Sequence, residues 1–402
     1  MAVAQDEPAN ETADQIDFLA RDEQDRPVII VTGTKRAESL QKVEASVAVT
    51  TAEKIEQQSL FNVNDILLRT ANVSTAGSRS LNSLSIRGVA LTGNGGTGTT
   101  ANVYVDGAPN SRNSNEGAQN LWDVGQVEIL RGPQSTVQGR NALSGAVVIN
   151  TTDPEYNWSG KGRVIVGTQN TRQYAGVLNG EVVPGQLAFR IAAEYTEDDF
   201  EVFNLIQNIP SRFNEALNLR GKILFEPEFL EGLRIETTVS YVDTEFGDFS
   251  SVNAPAPLGT PEFEAFDPFG DETFNRTSGI NQNTVWRGVL DVNYEISDTW
   301  EVFALGTIED VDAFTDLQDF GFFQDSDRTY SGELRASFDY GDVSGWIGGY
   351  YFDGEIPSVI GVGIPLTLLD TGVTPSNSTA TIVTNSNQVT ENYAIFGDIA
   401  WD

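Results

Sequence analysis

Residues 127–154 read VEILRGPQSTVQGRNALSGAVVINTTDP, and this stretch decides the fold of the N-terminal part of the chain. Its apolar and β-branched residues form one run at each end, which predicts two β-strands. Gly132, Gly139 and Gly145 lie between the runs, where a chain must turn tightly or where another backbone comes close. From the residues alone, the stretch is a compact β-hairpin of a small globular domain.

Three short motifs give this stretch its context. They are Ser85-Ile86-Arg87-Gly88, Val103-Tyr104-Val105-Asp106-Gly107 and Ile129-Leu130-Arg131-Gly132-Pro133. Together with the turn at Gly139, they occur in an order and at a spacing that resembles the plug domain of the TonB-dependent outer-membrane receptors, siderophore receptors in particular. The resemblance implies an α+β plug domain followed by a transmembrane antiparallel β-barrel.

The composition excludes several kinds of function. The chain has 402 residues, no Cys, no His and a formal net charge of -34 at pH 7. The lack of both residue types removes thiolate nucleophiles, disulfides and imidazole bases, so an imidazole-dependent hydrolase is excluded. The acidic excess argues against a nucleic-acid partner, because phosphate neutralisation requires clustered Lys and Arg. It otherwise indicates solubility, or an acidic loop surface that raises the local cation concentration.

The N-terminal end of the chain divides into two parts. Residues 1–27 are acidic and have few apolar anchors, which predicts a disordered, solvated arm. Residues 28–33 form an extended β-branched run that is open to two interpretations. It is either the first strand of the plug or the TonB box that the resemblance implies, a short unpaired strand that adds to the sheet of an energising protein. The residues that would make this contact are Val28, Ile29, Ile30, Val31 and Thr32.

Residues 34–155 are interpreted as the plug domain, a mixed α/β unit of a size that suits one small core. Short helices are predicted near residues 51–55 and 64–68, with Thr51 and Asn64 as their caps. Strands are predicted on either side of both helices. The sequence therefore favours an α+β domain at this end of the chain.

From residue 160 to residue 402 the sequence alternates with a period of two, which predicts the N-terminal part of a β-barrel. The side chains that would point inward include charges of both signs, whereas a soluble β-sandwich would bury an apolar set. Ten strands are predicted, near residues 161–168, 172–182, 187–198, 217–225, 233–244, 284–295, 299–309, 329–340, 343–353 and 392–402.

The links between these strands differ in length. Links from even to odd strands are short, and links from odd to even strands are mostly long, notably 245–283 and 354–391. Short turns on one rim and long loops on the other are typical of an outer-membrane barrel, and the short-turn rim is expected to face the periplasm. Receptors of this family close at about twenty-two strands. The chain is therefore expected to be a fragment that does not insert alone, because open edges would expose unpaired backbone groups to lipid.

Arg87 and Arg131 each precede a glycine in the plug motifs. The residues alone indicate a pair of surface arginines. The resemblance implies a latch, in which arginines at these positions pair with barrel glutamates and lock the plug to the wall, and a bidentate pair of this kind suits a low-dielectric interface. Asp106 and Gly107 are predicted to form a turn. The other plug-motif positions are Gly88, Gly132, Pro133, Gly139 and Gly145.

Two loops supply candidates for ligand contact. The glycine-rich run at 93–98 has the letters of a dinucleotide fingerprint, but no helix opens after it, so no cofactor is expected. The resemblance places this run at the extracellular apex of the plug, where ligand is met. Phenylalanines of a later loop either pack the loops together or form a stacking surface for an aromatic or sugar ligand. The candidates are Asn94, Gly95, Thr97, Phe263 and Phe266.

No catalytic constellation is apparent, so the chain is not expected to be an enzyme. No metal site is expected either, because the aspartates between 310 and 327 lack the spacing of a calcium loop. The resemblance implies a receptor of the bacterial cell outer membrane that imports a scarce nutrient, most often a ferric siderophore. Its partners would be a TonB-type energising protein in the periplasm, outer-membrane lipid and the nutrient. The alternatives are the same receptor class importing cobalamin, a saccharide or another non-iron ligand, a passive porin, and a soluble β-rich binding protein.

Overall fold

The structure is a computed structural model of the chain. It describes residues 28–33, 38–43, 45–75, 84–89, 100–111, 113–115, 120–133, 142–199, 202–210, 213–247, 260–261, 272–274, 279–316, 321–365 and 379–401. These residues contain two large sheets, one in the N-terminal part and one that begins at residue 159.

Short strands and two short helices make up the described N-terminal part. In chain order they are β1 (Ile30–Val31), β2 (Glu38–Ser39), β3 (Val47–Thr51), α1 (Ala52–Gln57), α2 (Val63–Leu67), β4 (Val73–Thr75), β5 (Leu84–Ile86), β6 (Ala101–Val105), β7 (Ala108–Pro109), β8 (Val124–Arg131) and β9 (Gly145–Thr151). A 3-10 turn at Asn113–Asn115 lies between β7 and β8. Five strands form a mixed sheet in the order β3-β8-β9-β6-β7, in which the β6–β9 pair is parallel and the other pairs are antiparallel.

The two helices lie close to their predicted positions, but one cap was predicted wrongly. Thr51 precedes α1 as expected, although its side chain makes no capping hydrogen bond. The cap of α2 is Asn62, and not Asn64: Asn62 Oδ1 accepts a hydrogen bond from the Asp65 amide (3.1 Å), and the Asp65 carboxylate accepts one from the Asn62 amide (3.2 Å). Only Asn62 has an acidic residue three positions later to complete such a capping box. Within the described residues, no helix combines the length and apolarity needed to cross a membrane.

The two faces of the plug sheet differ in chemistry. One face packs against both helices through an apolar core that includes Ile55, Ile66, Val127, Ile129 and Val147. Since side chains alternate across a strand, the residues between these face the other way. They form a smaller apolar cluster and, beside it, a row of polar side chains. These polar residues are Gln126, Glu128 and Asn150.

The second large sheet contains the ten strands that the sequence predicts, paired antiparallel in chain order. They are β10 (Ser159–Val166), β11 (Arg172–Val183), β12 (Leu187–Asp199), β15 (Phe213–Phe225), β16 (Leu233–Gly247), β18 (Asn281–Ser297), β19 (Trp300–Asp316), β20 (Gly321–Asp339), β21 (Val343–Pro365) and β22 (Thr379–Trp401), with the two-residue strands β13 (Phe203–Asn204), β14 (Ile209–Pro210) and β17 (Glu272–Thr273) in the links. β21 and β22 are each about a dozen residues longer than predicted at the long-loop end.

The links follow the expected asymmetry in part. At the short rim, the strands are joined by residues 184–186, 226–232, 298–299 and 340–342. At the other rim, consecutive strands are separated along the chain by residues 167–171, 200–212, 248–280, 317–320 and 366–378. Two links of the second rim are thus short as well. Among the described strands, β10 and β22 are the two edges of the sheet and do not pair with each other, so the sheet is not closed.

The outer face of the ten-stranded sheet is apolar and carries two bands of aromatic side chains. On β18, Trp286 and Leu290 are exposed on this face, whereas Val289 is buried against the plug residue Ala108. Tyr330 and Phe338 on β20 are eight residues apart, and one belongs to each band. The band near the short rim contains Trp158, Phe189, Trp300, Phe338 and Tyr340, and the other contains Tyr195, Tyr241, Trp286, Tyr330, Tyr351 and Tyr393.

Candidate functional site

The N-terminal segment, residues 28–33, lies on the polar face of the plug sheet. Ile30 pairs with Ser39 in the antiparallel β1–β2 hairpin, and Leu40 N donates a hydrogen bond to Ile29 O (2.8 Å). Val31 is fully buried. Of the two interpretations of residues 28–33, an unpaired strand does not agree with this pairing, whereas contact with an energising protein stays a prediction.

The carboxylate of Glu128 holds this segment. Oε1 of Glu128 accepts hydrogen bonds from Thr32 N (2.9 Å) and Thr32 Oγ1 (3.0 Å), and Oε2 accepts one from Gly33 N (2.9 Å). Gln126 Nε2 and Asn150 Nδ2 also donate to Oε1, at 3.0 and 3.2 Å. Gln126 Nε2 further donates to Ile30 O (2.8 Å). Gln126 and Glu128 thus bind the main chain of the segment at Ile30, Thr32 and Gly33.

Arg87 and Arg131 are neighbours at one end of the plug. Arg87 has a positive φ of 55°, and its Nη1 lies 3.4 Å from the position of a Cβ built on Gly132, so the two motifs meet. Arg131 Nη1 donates to Ala71 O (3.3 Å), and its buried Nε has no hydrogen-bond partner in the described part of the chain. No ion pair joins either arginine to a described carboxylate, so the latch stays a prediction.

Asp106 and Gly107 form the expected turn between β6 and β7, with φ values of 48° and 76°. The Asp106 carboxylate also accepts hydrogen bonds from Thr151 N (2.8 Å) and Thr151 Oγ1 (2.7 Å), which ties the turn to the end of β9. Gly145 is required by close approach, because a Cβ there would lie 2.2 Å from Leu130 O. Candidates that lie outside the described residues are Gly139, Asn94, Gly95, Thr97, Phe263 and Phe266.

Asp123 of the plug contacts two arginines of the wall, as we call the ten-stranded sheet of β10–β22. Arg190 donates two hydrogen bonds to its carboxylate, from Nε (2.9 Å to Oδ2) and from Nη2 (2.5 Å to Oδ1). Arg220 Nη2 donates to Asp123 O (2.8 Å) and lies 3.3 Å from Oδ2. The Asp123 side chain is only 5% exposed. Two guanidinium groups of the wall therefore converge on one buried carboxylate of the plug.

A second charge cluster lies where the plug leads into the wall. Lys222 Nζ is within 2.8 Å of Asp153 Oδ1, 2.9 Å of Glu236 Oε1 and 3.6 Å of Asp106 Oδ2. Arg234 Nη2 contacts Asp153 Oδ2 (3.1 Å) and Glu236 Oε2 (3.2 Å). The Lys222 side chain is 2% exposed, so these carboxylates are its main surroundings. The cluster joins the β6–β7 turn, the linker after β9 and two wall strands.

The linker between β9 and β10 is held in the same place. Burial opposes ionisation of Asp153, but nearby cations, Lys222 first, outweigh it and hold the pKa of Asp153 below its ordinary value. Burial and the hydrogen bond that Tyr156 Oη donates to Glu226 Oε2 (2.6 Å) raise the pKa of Tyr156. The linker is thus attached to the wall through Asp153 and Tyr156, and Asn179 of β11 also accepts a hydrogen bond from Glu155 N (2.9 Å).

Further contacts run along the inner face of the wall. Ser111 N donates to Glu309 Oε1 (2.8 Å), and the other oxygen of Glu309 pairs with Arg287. The Arg163 guanidinium lies over the Trp122 ring at 4.6 Å from its centroid. Such a stack is stabilising when the cation is partly desolvated. Plug and wall therefore meet through charges and rings and through one small apolar cluster, in which Ala108 of the plug packs against Val289 and Leu305.

A cavity of about 90 Å³ lies between the plug and the wall. The plug lines it with Asn110, Ser114 and Asn120, and the wall lines it with residues that include Asn218 and Ser240. The polar groups that line it can hydrogen-bond water in a space of this size. Among the described residues, no group of three or more acidic side chains is placed to hold a metal ion.

Comparison with known proteins identifies this arrangement. The family described as TonB-dependent Receptor Plug Domain matches residues 39–146. The chain carries the plug domain of the TonB-dependent receptors. The iron-regulated outer membrane virulence protein of Vibrio cholerae is 28% identical over 256 residues, which are 58% of this chain and 36% of that protein. The pesticin receptor of Yersinia pestis is 27% identical over 185 residues, 45% of this chain and 27% of that receptor.

A solved receptor extends the likeness beyond the plug. The crystal structure of the ferric yersiniabactin uptake receptor of Yersinia pestis superposes with a TM-score of 0.71 at 18% identity, covering 89% of this chain and 54% of that one. The ten-stranded sheet thus has the fold of part of a receptor barrel, and the predicted family, fold class and outer-membrane location are confirmed. The family consists of receptors and not of enzymes. The chain spans about a third of the length of the curated relatives it matches.

Sequence reasoning missed the residues that hold this TonB-dependent receptor plug in place. Asp123, Glu128 and Lys222 were not singled out, because each has a decisive partner far away along the chain. These partners are Arg190 at 67 residues, Thr32 at 96 and Asp153 at 69, respectively. A signal was present for Glu128. It alternates with Val127 and Ile129 in a strand whose other face is apolar, which indicates a polar surface on the second face.

Proposed function

We propose that this chain is the plug-bearing part of an outer-membrane receptor that imports a ferric siderophore, with energy supplied by a TonB-type protein in the periplasm. One observation carries the proposal: a folded plug is held against the inner face of a barrel sheet whose outer face is apolar. A plug in that position obstructs passive diffusion. Uptake then requires that the plug be moved, and a partner has to supply the force.

The proposed contact with the energising protein is residues 28–33. Ile30 and Val31 pair with only two residues of β2, so few main-chain hydrogen bonds have to be exchanged when the segment is released. A released β-branched segment can add to the edge of a partner sheet. The neighbouring residues Val28, Ile29 and Thr32 would complete the strand.

The proposed latch consists of Arg87 and Arg131. The buried Nε of Arg131 and the guanidinium of Arg87 lie together at one end of the plug. Two carboxylates of barrel strands beyond β22 would satisfy them by bidentate pairing. This would give the plug a further contact with the wall.

The proposed ligand is a ferric siderophore, because the similar proteins are named for iron regulation and for ferric yersiniabactin uptake. The plug apex and the long loops would bind it, and the contact candidates remain Asn94, Gly95, Thr97, Phe263 and Phe266. Outer-membrane lipid is the second proposed partner. The two aromatic bands are about 26 Å apart along a strand, which after strand tilt suits the apolar layer that such barrels span.

Uptake by living cells tests the proposal. A strain that lacks the gene, and the same strain with the gene restored, would be given radioactive iron bound to hydroxamate, catecholate and phenolate siderophores. We expect one siderophore class to be taken up only by the restored strain, and only while the membrane is energised. Ile30→Pro should abolish uptake but retain binding at the cell surface, because proline removes a main-chain donor of the segment. Ile30→Val is the matched control and should retain uptake.

Other outcomes would select the alternatives. Uptake of labelled cobalamin or maltodextrin, and of no siderophore, would show the same receptor class with a different ligand. Uptake that continues in de-energised cells would show a passive pore. Recovery of the protein in the aqueous fraction without detergent would show a soluble binding protein and would overturn the proposal.

A further inference from the structure

Glu128 is a buried carboxylate with an unusual set of neighbours. Its side chain is fully buried, and no described Lys or Arg forms an ion pair with it. Other buried carboxylates of this molecule, such as Asp123 and Glu309, are paired with arginine. A carboxylate is seldom buried without a cation unless hydrogen bonds satisfy its oxygens. The donors around Glu128 are therefore what makes its position tenable.

The donors belong to two groups, which differ in whether they remain beside Glu128 when the segment undocks. Gln126 and Asn150 are part of the plug sheet and remain with Glu128 in any movement of the segment. Thr32 N, Thr32 Oγ1 and Gly33 N belong to the segment and leave with it. When the segment leaves, three donors are lost at once, and water can replace each of them. The segment is thus held by bonds that solvent can exchange.

The fit at Gly33 is a second, independent observation. A Cβ on this residue would lie 2.6 Å from Leu130 Cδ1, 2.9 Å from Glu128 Oε2 and 3.3 Å from Val148 Cγ2. The main chain of the segment therefore lies directly on the sheet, with no space for a side chain at this position. Contact this close is what allows the main-chain amides to reach a carboxylate that points out of the sheet.

We infer that Glu128 is a positioning residue that keeps the N-terminal segment docked, and that its carboxylate sets how often residues 30–33 are available to a partner. The inference rests on the proposed function, in which this segment contacts the energising protein. Hydrogen bonds to an ionised acceptor are stronger than neutral ones, so the docked state dominates until the segment is pulled or otherwise released. The polar row beneath it makes the exposed sheet compatible with water.

Labelling of a single cysteine measures docking directly. The chain has no cysteine, so Val31→Cys introduces a single thiol, at a position that is buried only while the segment is docked. In the receptor assembled in the outer membrane, the labelling rate by a hydrophilic maleimide reports the undocked fraction. Adding Glu128→Gln should raise this rate by about tenfold or more, because the amide group places donors opposite the donors of Thr32 and Gly33.

Matched variants separate docking from general loosening. Asp106→Asn also removes a plug carboxylate that accepts from a main-chain amide, but Asp106 does not touch the segment, so labelling should stay at the parent rate. Glu128→Asp keeps the charge and should give an intermediate rate. Gly33→Ala keeps Glu128 intact and should raise the rate by forcing the segment off the sheet. Unchanged labelling in Glu128→Gln, or an equal rise in Asp106→Asn, would overturn the inference.

A second readout distinguishes this inference from the proposed function. The periplasmic domain of the TonB-type protein would be added to the same cysteine variants, and disulfide or maleimide cross-linking to position 31 measured. Cross-linking should increase in parallel with labelling. Faster labelling with no cross-linking at all would leave Glu128 as the docking residue and would refute the proposed partner contact. A variant that fails to assemble would be recognised by loss of heat-modifiable migration. If Glu128→Gln fails in this way, the labelling rate of Gly33→Ala tests the inference instead.

Discussion

The plug domain of this chain is attached differently at its start and at its end. At its start, neutral donors of residues 32–33 bind the lone carboxylate of Glu128. At its end, Lys222 and Asp123 are centres of ion pairs that join plug to wall. Breaking a buried ion pair leaves an uncompensated charge and is strongly destabilising, whereas water can replace neutral donors around a carboxylate. The comparison indicates that the contacts of residues 32–33 can be released, whereas those of Asp123 and Lys222 hold the plug against the wall.

The largest loss of stability is expected when Lys222, the cation of the wall that pairs with the linker after the plug, is replaced. Lys222→Met would leave Asp153 and Glu236 facing each other in a buried site, with Arg234 as the remaining cation. The free energy of unfolding should fall by about 3–5 kcal/mol. Denaturant unfolding of the protein in detergent, followed by tryptophan fluorescence, measures this. The double change Lys222→Met with Asp153→Asn should recover part of the loss, and a loss under 1 kcal/mol would contradict the assigned role.

The next effect is expected at Asp123. Asp123→Asn keeps the shape but removes the charge that Arg190 and Arg220 share, so the free energy of unfolding should fall by about 2–3 kcal/mol. The same unfolding assay applies. If the cysteine assay for residues 30–33 showed faster labelling in this variant, the two attachments would not be independent and the comparison would fail.

A smaller effect is expected on the helical face of the plug. Asn62→Ala removes the cap of α2 and should lower the free energy of unfolding by about 1 kcal/mol. Asn64→Ala, two residues later, is the matched control and should change stability much less. Because neither residue touches an attachment, both variants should leave the labelling of residues 30–33 unchanged, which sharpens the contrast with Glu128.

The smallest effect near neutral pH is expected from the titration of Asp153. Its pKa is lowered in the folded state, so the stability it contributes is fully present above its unfolded pKa of about 4. That contribution is lost as the pH falls below this value through the folded pKa. Between pH 5 and 7, the unfolding midpoint should therefore change with pH equally in the parent and in the Asp153→Asn variant. Below pH 4 the parent should lose stability more steeply than the variant.

Local sequence pattern was sufficient for the architecture but not for the attachments. The alternation after residue 160 predicted ten strands because each strand faces two different environments along its whole length. It missed the ends of β21 and β22 at the long-loop rim, although the two strands continue to pair there. Glycines and two prolines interrupt the alternation in β21, and a run of mostly polar residues does so in β22. Lys222 was missed for another reason: an inward charge in a strand indicates a partner but does not identify it.

The linker from Thr151 to Ser159 has consequences for how the protein is assembled. Seven residues separate β9 from β10, and even a fully extended linker of that length spans only about 25 Å. While the protein folds, the plug domain therefore stays within about 25 Å of β10, the first strand of the ten-stranded sheet.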